Sequence, residues 1–168
     1  AAWCTARSPL NRALWCRALL ARAGKGRSNL LMTDKQIIGN IGLYYVCYKL
    51  SWMGWNVMPT ARNARGIDIV AYKTVDNFVS IQVKTLSKNA GVGLGKSLDR
   101  VVGDYWVIVS NVASENGLRT SVMLPEEVRN NATRNKGGEK LYWLGHKTYE
   151  KPEFAEKWDR IQIKNPRR

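Results

Sequence analysis

Two stretches, Gly66-Ile67-Asp68-Ile69-Val70-Ala71-Tyr72 and Val79-Ser80-Ile81-Gln82-Val83-Lys84-Thr85, organise the reading of this chain. Both are rich in β-branched residues, and Asp76-Asn77 between them supplies turn chemistry, so they read as a hairpin with a longer loop. In the second stretch Val79, Ile81 and Val83 alternate with Ser80, Gln82 and Lys84. Side chains alternate across a strand, so Gln82 and Lys84 project together from the face opposite the aliphatics. If the two strands pair evenly, Asp68 falls on that same face, close to the lysine. An acid, an amide and an ammonium then meet at one sheet edge.

Upstream of the hairpin, Thr33 with Gln36 forms a capping-box pattern, and Asp34 suits the first turn of a helix. Ile37, Ile41, Tyr44, Tyr45, Tyr48 and Trp52 recur at helical spacing and predict its apolar face, with Gly54 closing it. A short strand follows over 56–58, ended by Pro59. Downstream of the hairpin come a loop at 87–96 and a short helix near 97–102. A strand over 105–110, apolar throughout, is expected to be central. Further strands are expected at 121–124 and 141–144, and a helix opening at Pro125-Glu126-Glu127. Phe154, Trp158 and Ile161 predict a terminal helix. The order α, β, β, β, short α, β with a β/α tail fits an α/β domain with a mixed central sheet flanked by helices.

The chain has 168 residues, enough to bury a core without staples, and 45% of them are hydrophobic. No apolar run approaches the ~18 residues of a membrane-spanning helix, so no membrane partner is expected. Cys4, Cys16 and Cys47 are odd in number and far apart, which suits a reducing, cytoplasmic setting and gives no metal knuckle. The 27 Lys and Arg against 13 acids leave a net charge of +14. Such a balance points to a polyanion, with DNA the expected partner, or to a merely soluble basic surface. Residues 1–31 contribute +6 of it without a single acid. That segment reads as a transit peptide, as a basic arm or as translated upstream sequence; the last is favoured, because Met32 opens the helix start. The expected division is a basic extension at 1–31 and a single domain at 32–168.

The hairpin residues can support metal-assisted phosphodiester hydrolysis. Asp68 offers a hard carboxylate oxygen suited to Mg²⁺, and the Gln82 amide oxygen and Val83 carbonyl can supply two more donors. A bound ion would activate water and stabilise phosphate charge, with Lys84 orienting the water or the phosphate. The plainer reading is a half-exposed Asp–Lys cross-strand pair worth under ~1 kcal/mol.

Gly66-Ile67-Asp68 with Gln82-Val83-Lys84, behind a helix carrying Gly39-Asn40-Ile41-Gly42, resembles the PD-(D/E)XK nuclease superfamily. It is most similar to the D…QxK branch, which includes methylation-dependent restriction enzymes, with Holliday-junction resolvases as more distant relatives. The resemblance spans roughly 33–112. It implies a restriction-endonuclease-like αβββαβ core in which Asp68, Gln82 and Lys84 are catalytic. It also implies that Asp68, Gln82 and Val83 hold Mg²⁺, for which Mn²⁺ can substitute. Two departures stand out. Gln82 is neutral where most of the superfamily has an acid. Leu43 occupies a helix position where relatives often carry Glu, and Asp34 and Asp104 are the acids considered to fill that gap. The implied activity is Mg²⁺-dependent DNA cleavage, the alternative a catalytically inactive nucleic-acid-binding module. Cutting two strands needs two sites or two visits, which a homodimer would supply.

On the substrate side, Arg62 and Arg65 precede Asp68, and Lys88, Lys96 and Arg100 follow Lys84; all five are candidates for phosphate contact. Ala90-Gly91-Val92-Gly93-Leu94-Gly95-Lys96-Ser97 fits a permissive phosphate-loop pattern. The helix expected after it is too short, so a flexible loop beside the nucleic acid is the better expectation. His146 is the only histidine, which excludes a His-based cluster or triad. Trp52, Trp55, Trp106 and Trp158 are expected in the core, with Trp143 undecided. Glu126, Glu127, Glu153 and Glu156 are expected in helix first turns.

Overall fold

The computed structural model describes residues 34–61, 66–74, 76–114, 117–135, 137 and 140–163. The Thr33 cap, Arg62, Arg65 and the 1–31 extension therefore lie outside the described residues. Helix α1 (Lys35–Trp52) leads into β1 (Asn56–Pro59), β2 (Ile69–Thr74) and β3 (Asn77–Thr85). Then come β4 (Val92–Gly95), a 3₁₀ turn at Leu98–Arg100, β5 (Tyr105–Ser110) and β6 (Arg119–Met123). The tail holds α2 (Pro125–Asn130), β7 (Thr133–Arg134), β8 (Tyr142–Leu144), α3 (His146–Tyr149) and a 3₁₀ turn at Trp158–Arg160. Among the described residues no helix is long and apolar enough to cross a membrane.

Five strands form a central sheet in the order β1-β2-β3-β5-β6, with β3 and β5 parallel and the other pairs antiparallel. The chain thus has the mixed α/β core with a mixed central sheet that its sequence predicts. All six residues of β5 are buried, as expected of an interior strand. A second sheet, β4-β8-β7, is antiparallel throughout.

The central sheet is covered differently on its two faces. On one, Ile69, Ala71, Val79, Ile81, Tyr105, Val107 and Val109 pack with Val46 and Leu50 of α1. On the other, Trp106, Ile108 and Met123 pack with Val92 and Leu94 of β4, Leu144 of β8 and Val128 of α2. Strand β3 serves both faces through its alternation.

Helix α1 buries a different stripe from the one its sequence predicts. Ile38, Gly42, Val46 and Leu50 face inward. Ile41, Tyr44, Tyr48 and Trp52 are exposed, Trp52 by 77%. The helix is apolar on two sides, and contact distance selects between them. A Cβ built on Gly42 would lie 1.9 Å from Thr85 Oγ1, so only glycine lets the helix approach the end of β3. Leu43, at the position where an acid is usual in the resembled superfamily, packs against this apolar core.

Other expectations shift as well. The hairpin loop is tighter than predicted, because β2 runs to Thr74 and pairs with Asn77, with an irregularity at Lys73. The loop expected at 87–96 contains β4, whose Val92 and Leu94 are buried while Gly93 is exposed. The helix expected at 97–102 is a single 3₁₀ turn. The terminal helix is absent among the described residues. Phe154, Trp158 and Ile161 are buried, but by turns and a 3₁₀ segment. Glu153 and Glu156 accordingly cap no helix. Glu153 pairs with Lys151 at 3.7 Å, and Glu156 accepts hydrogen bonds from Thr120 N–H and Oγ1, both 2.8 Å.

Candidate functional site

Asp68 stands one residue before β2, held from three directions. Its N–H donates to the Ile81 carbonyl at 3.0 Å, and its carbonyl accepts from Thr60 N–H at 2.9 Å. Its carboxylate Oδ2 accepts the Val83 N–H at 2.7 Å. Even pairing of the two strands stops at Ile69 with Ile81, and the Asp68 N–H reaches that same Ile81 carbonyl, so Asp68 stands out of even register with its carboxylate on the Val83 N–H. Strand N–H and C=O of one residue point the same way, so the Val83 carbonyl also emerges on the Asp68 side.

Gly66 makes this entry into β2 possible. Its φ is +93°, and a Cβ there would lie 3.2 Å from both Gln82 Nε2 and Val102 Cγ2. A side chain would be strained by the backbone and crowded against the site at once.

Gln82 is 4% exposed. Its amide oxygen accepts Val102 N–H at 3.4 Å, which orients the side chain toward the segment leading into β5. Lys84 places its ammonium 5.5 Å from the centroid of the Trp106 ring, a cation–π distance. That ring is itself fixed by donation from Trp106 Nε1 to the Val102 carbonyl at 3.1 Å. The parallel pairing of Gln82 with Trp106 and of Lys84 with Ile108 sets all of these on one face.

Burial raises the Asp68 carboxyl above the usual Asp range. The Val83 N–H and then the Lys84 charge oppose that shift. A carboxylate retained in a site that disfavours its charge is a functional-site signature.

Lys84, Gln82 and Gly66 open onto a cleft of about 610 Å³ whose other walls are Trp106, Arg100 and residues 93–95 of β4. Among the sequence-predicted residues, Gln82, Lys84 and Arg100 line the cleft; Asp68 and Val83 do not, and Asp68 joins the group through the Val83 N–H and the nearby Lys84 charge. Lys88 and Lys96 are exposed but do not line this cleft. Asp104 does not fill the gap at Leu43. Its Oδ2 accepts both Ser80 N–H at 2.8 Å and Ser80 Oγ at 2.7 Å, which fastens the start of β5 to β3. Asp34 is exposed just before α1. Trp106 and β4 are the parts of the site that sequence reasoning missed. The apolar neighbours of Trp106 predict only its burial, and the β3–β5 register shows it beneath Lys84.

The donors fit one hard cation in a limited way. Asp68 is the single carboxylate, and among the described residues no group of three or more His, Cys, Asp or Glu could hold a metal. The Gln82 oxygen already accepts one hydrogen bond, leaving a second lone pair. Mg²⁺ is often held by one or two carboxylates with substrate phosphate and water completing the shell, and this set matches that mode.

Among the solved structures to which this chain is similar is Hjc of Archaeoglobus fulgidus, a Holliday junction resolvase from an archaeal hyperthermophile. It matches with a TM-score of 0.48 and 17% identity, over 69% of this chain and 88% of that one. No protein-family model matches the chain. No curated protein matches it either.

Proposed function

We propose that this chain is a metal-dependent DNA endonuclease of the PD-(D/E)XK type, in the D…QxK branch. One observation carries the reading. Asp68 sits against the Val83 N–H and within reach of the Lys84 charge, and Gln82 and Lys84 line a cleft that also presents Arg100. Asp68, with the Gln82 amide oxygen and the Val83 carbonyl, would hold Mg²⁺ or Mn²⁺, and substrate phosphate would complete the shell. The ion would supply water activation and charge neutralisation at the phosphate.

The chain's own residues do the rest. Arg100 binds a phosphate of the strand. Lys84, kept in place by Trp106, faces the phosphate with a full positive charge as negative charge builds on it. Gln82, anchored by Val102 N–H, holds its carbonyl oxygen in the same pocket. A homodimer would place two such clefts on a duplex. The free thiol of Cys47 accords with a reducing, cytoplasmic setting.

A second reading, a nucleic-acid-binding module without catalysis, is favoured by the single carboxylate near the cleft and by Leu43, which packs against the core where an acid would be usual. Incubation with linear, methylated and branched DNA in Mg²⁺ or Mn²⁺ separates the two. The nuclease reading expects nicked or cut product. It also expects Lys84→Ala to lower the cleavage rate about 10²–10³-fold while leaving DNA affinity nearly intact. Binding without product on every substrate would select the module. In either case affinity should fall with salt, with a logarithmic slope of about 0.9 per phosphate contact.

A further inference from the structure

The stretch with a phosphate-loop pattern forms a strand, and its glycines have a structural consequence. In β4, Val92 and Leu94 point into the core, which leaves Gly93, with Gly91 just before the strand, as a bare backbone strip on the other side. Trp143 of β8, paired with Gly93, lies over that strip. A Cβ built on Gly93 would be 3.6, 3.7 and 4.0 Å from Cζ3, Cη2 and Cε3 of the indole, and one on Gly91 would be 3.6 Å from Cε3. Three adjacent ring carbons at nearly equal distance set the face of the ring toward the strip, with room for about one methyl group between them. An edge-on ring would separate them further. Trp143 is 36% exposed.

Gly93 belongs to two surroundings at once, since it supports the indole and also lines the cleft with Lys84 and Arg100. The aromatic platform is thus continuous with the cationic cleft.

From this geometry we infer that Trp143 is a stacking platform for an unpaired nucleobase of the DNA strand whose phosphates occupy the cleft. The inference rests on the nuclease reading and extends it to a substrate class, single-stranded or gapped DNA. Two cations hold the backbone, and a flat ring alongside takes a base, the combination by which single strands are bound. A base inside a duplex has both π-faces covered by its neighbours and cannot use the ring. The glycines matter because they keep the strip beside the indole bare: a methyl at position 93 would meet the ring at ordinary van der Waals distance, and a larger side chain would press on the ring and narrow the cleft. Thr133, opposite Trp143 on β7, donates its Oγ1 to the Trp143 carbonyl at 3.2 Å and steadies the strand that carries the ring.

The test measures binding of a single-stranded oligonucleotide and of the duplex of the same sequence, without divalent ion, by fluorescence anisotropy. Wild type is compared with Trp143→Phe, Trp143→Leu and Trp143→Ala. Trp143→Leu keeps apolar cover on the glycine strip and removes the π-face, so it separates stacking from folding. Single-strand affinity is expected to fall about 5- to 150-fold in the Leu and Ala variants and to be largely kept in Trp143→Phe. Duplex affinity should change less than twofold in all three, and thermal melts of the Leu variant should match wild type. Equal loss on both DNAs, or no loss on the single strand, overturns the stacking role while leaving the nuclease reading intact. Failure of the wild-type protein to bind any DNA overturns both.

Discussion

The two faces of β3 are built by the same alternation and do opposite jobs. Toward α1 it presents Val79, Ile81 and Val83, which meet Val46, Leu50, Ile69 and Val107 in an apolar core. Toward the second sheet it presents Ser80, Gln82 and Lys84. Each of these has its own fastening, to Asp104, to Val102 N–H and over the Trp106 ring respectively. The apolar face needs only volume and contact. The polar face needs specific partners, because a buried polar group without one costs about 1–3 kcal/mol. The contrast shows how one strand stabilises the domain on one side and displays chemistry on the other.

The contrast can be broken most strongly from the apolar side. Ile81→Ala should lower unfolding free energy by about 2–5 kcal/mol in urea titrations, since Ile81 is fully buried and its cavity cannot collapse against a sheet.

On the polar side the comparison sharpens with Ser80→Ala. It removes the hydroxyl bond to Asp104 but keeps the backbone one, and should cost about 1 kcal/mol by the same titration.

Asp68→Asn should have the opposite sign. The folded-state pKa of Asp68 lies above its unfolded value, so between the two the folded state binds more protons and stability falls as pH rises. The charge penalty is absent below the ordinary Asp range and fully present above the raised pKa. Asp68→Asn should therefore be more stable than wild type at neutral pH, with the difference vanishing in acid, while cleavage is lost. Paired melts across that window check the sign; a variant less stable at neutral pH would contradict it.

The smallest effect belongs to the exposed stripe of α1. Trp52→Ser should stay within about 0.5 kcal/mol of wild type, despite the helical spacing that suggests a core position.

The site was legible in the sequence to the extent that strand alternation and register are local. Gln82 and Lys84 could be set on one face because a two-residue period leaves no other choice within one strand, whereas the place of Asp68 depends on the pairing of two strands, which departs from even register there. The helix was less legible. Ile41, Tyr44, Tyr48 and Trp52 outrank Ile38, Gly42, Val46 and Leu50 in apolar bulk, yet the second set faces the sheet. Bulk measures what a side chain gains by burial, and says nothing of how closely two backbones must approach. Gly42 against Thr85 records that distance. The stretch at 91–95 was misread for a related reason. Its glycines indicate a loop when counted by propensity, whereas Val92 and Leu94 gain enough burial against Trp106 and Leu144 to draw it into a strand.

Local patterning was enough to establish a mixed α/β chain with a basic surface and an acid–amide–lysine trio on one strand pair. Those properties follow from periods of two and of nearly four residues along the backbone. The cleft required the assembled molecule. Trp106 beneath Lys84, Arg100 beside it, Val102 on Gln82 and Trp143 on its glycine strip come from segments far apart in the chain. They are joined by parallel pairing and by the packing of a second sheet, and no short-range pattern encodes which distant residue will lie opposite.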